Sequence, residues 1–171
     1  HKIQLNYKDN ILSLNGLGKI KLDKEFNKMG YFFSTKNKKY NFETDLEIND
    51  TPFKIDLINY EKAKNLNSQL NINGNYNKKS GINFKKISLL SKNNNLIVND
   101  LIVDKNNKLM KVDKIDLDYF DNSNVKNKFV LKRSKNNNYE LKGSTLNADT
   151  IITNLLESKD DQQLDMFRES I

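Results

Sequence analysis

Apolar and polar residues alternate with a period of two along most of the chain. Ile3, Leu5 and Tyr7 begin the pattern, and a turn at 8–10 leads into the next alternating segment. Successive side chains of a strand point to opposite faces, so this alternation predicts strands with one apolar and one polar face. Asn, Asp, Lys and Gly at the breaks are typical of turns, and they separate about eleven segments. The pattern predicts a long antiparallel meander.

The alternation changes phase at two places in its most regular stretch. Apolar positions pass from Val98 to Leu101 across Asn99-Asp100, and later from Val112 to Ile115. One extra residue in a strand reverses the facing of every residue that follows. A β-bulge near each point is therefore expected.

Helical spacing occurs once, within the stretch LKGSTLNADTIITNLLES. Its apolar residues recur at intervals of three and four, after Asn147 as a plausible N-cap. They predict a short amphipathic helix that covers the sheet with Ala148, Ile151, Ile152, Leu155 and Leu156. Residues 1–157 then form one β domain, and 158–171 form a polar, acidic tail that is poorly ordered or extends the helix.

One short helix, about three turns long, cannot cover an apolar face that extends over about eleven strands. Either the sheet closes on itself like a sandwich, or it curves into a taco-shaped groove whose face stays partly open. An open apolar patch usually marks a binding surface. The residues expected to line the groove are Leu12, Leu14, Ile20, Leu22, Tyr31, Phe33, Phe42, Leu46, Phe53, Ile55, Leu70, Ile72, Ile82 and Phe84.

The composition argues against an enzyme. There is no Cys, and His1 is the single histidine, so a nucleophile paired with a histidine base and a zinc site both lack their residues. Asp116 and Asp118 share a strand face with Lys114, which favours a solvated, charge-compensated face over a cation site. We expect no catalytic residue, metal or cofactor.

The net charge is +7, and the basic residues are almost all Lys. Because Lys mostly alternates with apolar residues, we expect the charge to spread over a solvated face without forming a patch. An aromatic-and-basic recognition motif is also missing, so nucleic acid is not an expected partner. The longest apolar runs are far shorter than a membrane span.

The meander over residues 82–119, the segment 126–142, and the run from Gly143 to Leu156 resemble the C-terminal module of AsmA-like proteins, of the YhdP type and more distantly TamB. In this sequence, as in those proteins, the last predicted strand is followed by a glycine, an acidic residue and a predicted leucine-rich helix. The resemblance implies a periplasmic protein of the bacterial envelope, anchored in the inner membrane by a segment elsewhere. Neighbouring β-repeats of the same chain would extend its groove.

The resemblance further implies transport of phospholipid, or another acyl lipid, between inner and outer membrane. In that case acyl chains lie along the groove and head groups stay at its polar rim. An alternative is a structural β-repeat scaffold or outer-membrane assembly module with a closed core and edges that pair with neighbours. A polysaccharide-binding sheet would need exposed aromatic residues on the polar face, where the sequence has few.

Overall fold

A computed structural model describes residues 2–149 together with 152 and 153, and strands make up most of it. Thirteen strands occur in this part of the chain. Their bounds are β1 Lys2–Lys8, β2 Ile11–Leu22, β3 Glu25–Lys36, β4 Lys39–Glu47, β5 Phe53–Ile55, β6 Tyr60–Lys62, β7 Ser68–Asn77, β8 Gly81–Ser91, β9 Asn94–Val103, β10 Leu109–Lys111, β11 Lys114–Phe120, β12 Lys126–Arg133 and β13 Tyr139–Thr145. A 3₁₀ turn, Asp56–Ile58, connects β5 to β6.

Eleven of these strands form one antiparallel sheet in the order β1-β2-β3-β4-β7-β8-β9-β11-β12-β13, with β10 paired to β9. The order follows the chain, which confirms the predicted meander. Within the described residues β1 and β13 are the two edges and do not pair with each other, so the sheet is open. Strands β5 and β6 form a separate hairpin inserted between β4 and β7.

The register places the apolar alternation of the strands of the main sheet on the same face, because residues directly opposite each other in antiparallel strands share a face. One row of partners crosses seven strands, through Leu5, Leu14, Phe33, Phe42, Gly74, Phe84 and Leu101. A second row, nearer the other end of the strands, runs through Met29, Leu46, Leu70, Leu89, Leu96, Leu117 and Phe129. We call this side of the sheet the apolar face.

Two residues leave the ladder together at the first predicted phase shift. Phe84 pairs with Leu101, and the next pair is Lys86 with Asn99, so Lys85 and Asp100 are both skipped. Asp100 has a positive φ of 51°. The bulge expected at Asp100 is confirmed. The matching bulge at Lys85 in the neighbouring strand carries the same signal, since apolar positions pass from Phe84 to Ile87 across Lys85-Lys86, but it was not among the expected phase shifts.

The second phase shift has a different cause. The chain leaves the sheet at 112–113, between β10 and β11, so a break between two strands resets the facing. The register between β10 and β9 also shifts between Leu109 and Lys111. A bulge within one continuous strand was expected, and an interrupted strand is found.

The core lies between the apolar face and residues 49–67, which we call the insertion. Tyr60, at 1% exposed, packs edge-to-face on Tyr119 with ring centroids 5.8 Å apart, and Phe53 contacts Tyr60 at 6.1 Å. Leu46, Leu89, Leu96, Leu117 and Phe129 complete the buried cluster from the sheet side. The insertion therefore provides the cover that the sequence had assigned to the C-terminal helix.

The predicted helix lies mostly outside the described residues, which include neither Ile151 nor Leu155 and Leu156. The Ile152 N–H donates to the Ala148 carbonyl at 2.8 Å, a helical spacing, and Ile152 is 52% exposed. Leu146, just before this segment, packs against the core.

Glycines on the apolar face lie beneath aromatic rings from the neighbouring strand. A Cβ on Gly16 would lie 2.5 Å from Cζ of Tyr31, and one on Gly74 would lie 2.9 Å from Cζ of Phe42 and 2.3 Å from the Asn83 carbonyl oxygen. Gly16 faces Tyr31 and Gly74 faces Phe42 in the register. The missing side chains let these rings lie over the backbone, which compensates for the weak strand propensity of glycine.

Replacing Gly74 should therefore cost stability. We expect Gly74→Ala to lower the free energy of unfolding by about 1–3 kcal/mol, because the added methyl group overpacks against backbone atoms. Gly30→Ala is the control, since its Cβ would meet the flexible end of Leu17 at 3.3 Å and Cβ of Asp45 at an ordinary contact distance of 3.9 Å. Urea unfolding measures both variants, and equal stabilities would contradict the assigned packing.

Candidate functional site

The two ends of the strands differ in what lies over the apolar face. The turns 23–24, 92–93 and 121–125 and the insertion lie at one end, which we call the covered end. The turns 9–10, 37–38, 78–80, 104–108 and 134–138 lie at the other, which we call the open end. Within residues 2–149 the insertion is the main segment packed over this face. It leaves the part toward the open end uncovered.

Four of the residues expected to line a groove lie in the covered part instead. Leu46 is a core residue at 7% exposed, and Ile20, Leu22 and Leu70 pack against the same cluster. Their alternation was read correctly, since they share the apolar face. Their side chains belong to the buried cluster or pack against it, and so are not part of the uncovered surface.

Two further residues of that set lie on the insertion. Phe53 and Ile55 belong to β5, which pairs with β6 and not with the main sheet. Phe53 faces the core, whereas Ile55 is 36% exposed. The alternation in 53–57 resembles that of the sheet strands, so periodicity alone could not separate the cover from the sheet.

The remaining eight residues of the expected groove lining form what we call the open half of the apolar face. None of them belongs to the buried core cluster. They are Leu12, Leu14, Tyr31, Phe33, Phe42, Ile72, Ile82 and Phe84. Leu12 is 38% exposed and the other seven are half-buried. Two tyrosines that the expected set omitted, Tyr40 and Tyr76, lie on the same face and pair with each other in the register.

Aromatic side chains of the open half contact one another across strands. Phe33 stacks on Tyr40 with centroids 5.8 Å apart, and Tyr40 contacts Tyr76 at 5.8 Å. Phe42 meets Phe84 edge-to-face at 5.9 Å. Mutual packing accounts for the partial burial of these rings, and their outward surfaces remain apolar. The open half can therefore bind an apolar ligand through non-directional contacts.

Charge is also divided between the two ends. The open-end turns, with one flanking residue on each side, carry ten basic and two acidic residues. The covered-end turns and the insertion, counted in the same way, carry six basic and six acidic residues. The excess of basic residues at one end was not expected from the sequence, and it arises because the antiparallel meander brings every second turn to the same end. We call nine of these residues the lysine rim: Lys8, Lys36, Lys38, Lys39, Lys78, Lys79, Lys105, Lys108 and Lys135.

The carboxylates of β11 lie on the opposite, polar face and are paired with lysines. Lys114 binds Asp116 at 2.9 Å, and Asp118 contacts both Lys126 and Lys128. Hydrogen bonds from Lys126 and Lys128 hold the pKa of Asp118 below its usual value. This arrangement matches the favoured interpretation of a charge-compensated face. The described residues contain no group of three or more potential metal ligands.

Asp121 organises a buried polar cluster beside the core. Its Oδ1 accepts from the backbone N–H groups of Ser123 and Val125, both at 2.9 Å, and its Oδ2 accepts from Asn127 and Asn147. Burial alone would raise the pKa of Asp121, but these hydrogen bonds together lower it. The cluster joins the end of β11 to the segment after β13, so its role is to hold the covered end together.

Lys62 is buried in the insertion, and no carboxylate of the described residues forms an ion pair with it. Its side chain is 0% exposed, and Nζ donates to the carbonyls of Asn49 at 2.8 Å and Ala63 at 3.1 Å. Burial lowers its pKa, and the nearby Asp50 opposes this effect. The bond to Asn49 ties the two arms of the insertion together, and the bond to Ala63 is local. No helix among the described residues is long and apolar enough to cross a bilayer.

Two buried tyrosines allow a matched test of the cover. The Tyr119 hydroxyl donates to the Ile58 carbonyl at 2.9 Å, whereas the Tyr60 hydroxyl lies near the Ser91 and Asn94 side chains without a well-formed hydrogen bond within the described chain. We expect Tyr119→Phe to cost about 1–2 kcal/mol and Tyr60→Phe to be neutral or stabilising. Chemical denaturation measures both, and a larger loss for Tyr60→Phe would contradict this packing of the insertion.

The Asp121 cluster predicts a loss of stability in acid. A carboxyl whose pKa is lowered by folding stabilises the folded state above its unfolded pKa of about 3.9, and this contribution is lost as the pH falls through the lower folded value. Asp121→Asn should be less stable at pH 7 and should show a shallower decline below about pH 4. Thermal unfolding from pH 7 to pH 2 tests this, with the exposed turn residue Asp23→Asn as control. Parallel pH profiles for wild type and Asp121→Asn would contradict it.

Comparisons with known proteins found no relative: no family model, characterised protein or solved structure shows a significant match to the chain. The resemblance to AsmA-like proteins is therefore carried by the pattern of strands, glycine and helix alone.

Proposed function

We propose that the protein binds the acyl chains of a lipid on the open half of the apolar face and has no catalytic role. One observation carries the proposal: the apolar face is continuous from β1 to β9, and within residues 2–149 the insertion covers only its other half. A soluble protein that keeps such a surface usually uses it for binding. The side chains of this half contain no acid, base or nucleophile pair.

The size of the open half suits an acyl chain. About six residues along each strand give about 20 Å, and seven neighbouring strands give about 29 Å across. An acyl chain that spans one leaflet covers about 15 Å, half the hydrocarbon thickness of a bilayer. Each methylene removed from water contributes about 0.8 kcal/mol, so a chain of ordinary length gains enough to bind without a specific hydrogen bond.

The site suits a phospholipid better than a neutral hydrocarbon. The lysine rim lies next to the uncovered rings, where it can attract a phosphate while the acyl chains lie on Phe33 and Phe42. The strand pattern resembles that of AsmA-like envelope proteins, which supports phospholipid transport in the periplasm, between inner and outer membrane, as the process served. Neighbouring β-repeats would lengthen the face.

A scaffold or assembly module is the second candidate, and the edge strand β1 favours it. Every residue of β1 is exposed, and its apolar residues Ile3, Leu5 and Tyr7 are 64%, 65% and 70% exposed. An edge with apolar side chains is suited to pairing with another strand. A strand added beside β1 would also widen the apolar face, so this role is compatible with lipid binding.

The proposal predicts that charge on the open half abolishes lipid contact. Phe33→Glu combined with Phe42→Glu should reduce photo-crosslinking to a phospholipid with a diazirine in its acyl chain by at least about tenfold, because burying a carboxylate against the lipid is costly. Phe26→Glu with Phe32→Glu is the control, since these exposed rings lie on the polar face. Circular dichroism verifies that each variant keeps its strands.

Leu12→Glu provides a milder variant, because Leu12 is already 38% exposed and its replacement should leave the sheet folded. Undiminished crosslinking in both open-half variants would overturn the site assignment. Native mass spectrometry of detergent-free protein separates the two candidates. Co-purified phospholipid supports lipid binding, whereas a lipid-free oligomer that Leu5→Lys dissociates supports the scaffold.

A further inference from the structure

The lysine rim is not needed to hold the fold together. None of its nine lysines forms an ion pair within the part of the chain that the structure describes. Lysines elsewhere do, as in Lys54 with Glu61 at 3.1 Å and Lys64 with Glu25 at 2.7 Å, both at the covered end. The positive charge of the open end is therefore not neutralised by the protein and is free to act on a partner.

The two acidic residues of the open-end turns do not neutralise this positive charge. Asp9 and Asp104 are the two acidic residues of the open-end turns. Asp104 is engaged in its own turn, where Oδ1 accepts the backbone N–H groups of Asn106 at 2.8 Å and Lys108 at 2.9 Å. A bound anion would thus meet an excess of lysines on five separate turns, spread along the width of the sheet.

Exposed apolar side chains accompany the lysines at this end. Tyr7, Tyr76, Leu109 and Met110 lie within a few residues of the open-end turns, at 70%, 38%, 40% and 55% exposed. Basic residues interleaved with exposed aromatic and aliphatic side chains are the composition of surfaces that settle into a lipid interface. The cations meet the phosphates while the apolar tips enter the boundary between head groups and acyl chains.

We propose that the lysine rim docks the open end of the sheet onto an anionic bilayer surface, with the strands pointing away from the membrane. The opening of the apolar half then lies against the leaflet. The lysines of this surface lie on separated turn tips, and the one arginine among the basic residues of the open-end turns, Arg133, is engaged by Asp113 and Asn137. The apolar side chains exposed beside the lysines are mixed, two tyrosines with a leucine and a methionine. Such an arrangement suits the mobile, evenly spaced phosphates of a lipid leaflet better than the stacked bases of a nucleic acid.

This proposal stands apart from acyl binding. Docking depends on the turns, and acyl binding depends on the rings of the open half, so either can fail alone. The double variant Phe33→Glu with Phe42→Glu should lose lipid crosslinking and keep vesicle docking.

Flotation with vesicles tests the docking. The chain of residues 1–171 should bind vesicles of 30% phosphatidylglycerol in phosphatidylcholine at 50 mM salt. It should bind pure phosphatidylcholine at least about tenfold more weakly, since each lysine near an anionic surface contributes to the binding free energy. Binding should fall as salt is raised to 500 mM, where screening acts within a few ångströms. Salt-independent binding would overturn the proposal.

A pair of charge-matched variants identifies the end that binds. Lys36, Lys38, Lys78 and Lys79 replaced by Gln should weaken binding to the anionic vesicles at least about tenfold. Lys19, Lys21, Lys86 and Lys132 replaced by Gln lower the net charge equally but lie on the polar face, and should change binding by less than about twofold. Equal losses in the two variants would mean that net charge alone attracts the protein, and would overturn the proposal.

Insertion depth gives a readout independent of charge. The chain has no Trp, so a single Met110→Trp reports on the open end and Leu90→Trp, 39% exposed before replacement, reports on the covered end. Brominated acyl chains should quench the first and leave the second bright. Quenching of both, or of Leu90→Trp alone, would overturn the orientation.

Tight binding of single-stranded RNA that displaces the vesicles would show that the lysine rim binds a nucleic acid instead, and would overturn the proposal.

Discussion

The whole arrangement depends on cross-strand register. In a meander of this width, the apolar face exists only if each strand keeps the same phase as its neighbour, since a slip of one residue turns an entire strand over. Rows such as Leu14, Phe33 and Phe42 show that this phase is kept from strand to strand. A single constraint thus produces the core beneath the insertion and the uncovered surface beside it.

The strands and their facing could be predicted because alternation is a local signal. The topology followed from short turns, which leave consecutive strands little choice but to pair. The packing of the insertion over the apolar face could not be predicted. Phe53 and Tyr60 sit in a short segment with the same alternation as the sheet, and nothing local says that this hairpin folds over the face instead of joining it.

The candidate site was predicted in part for the same reason. Residue type identified Phe33, Phe42 and Phe84 as members of the apolar face, but exposure depends on where the insertion packs, so Leu46 could not be distinguished from them. The concentration of lysines was missed because it is a property of the topology. Lys38 and Lys79 are far apart in sequence and meet only because antiparallel strands return every second turn to one end.

The paired bulges at Lys85 and Asp100 have an evolutionary consequence. Loss of Lys85 alone would invert Ile82 and Phe84, and loss of Asp100 alone would invert Leu101 and Val103. Either deletion would place polar neighbours among the rings of the open half. In sequences descended from this chain, the two extra residues should therefore be either both present or both absent, as a linked insertion.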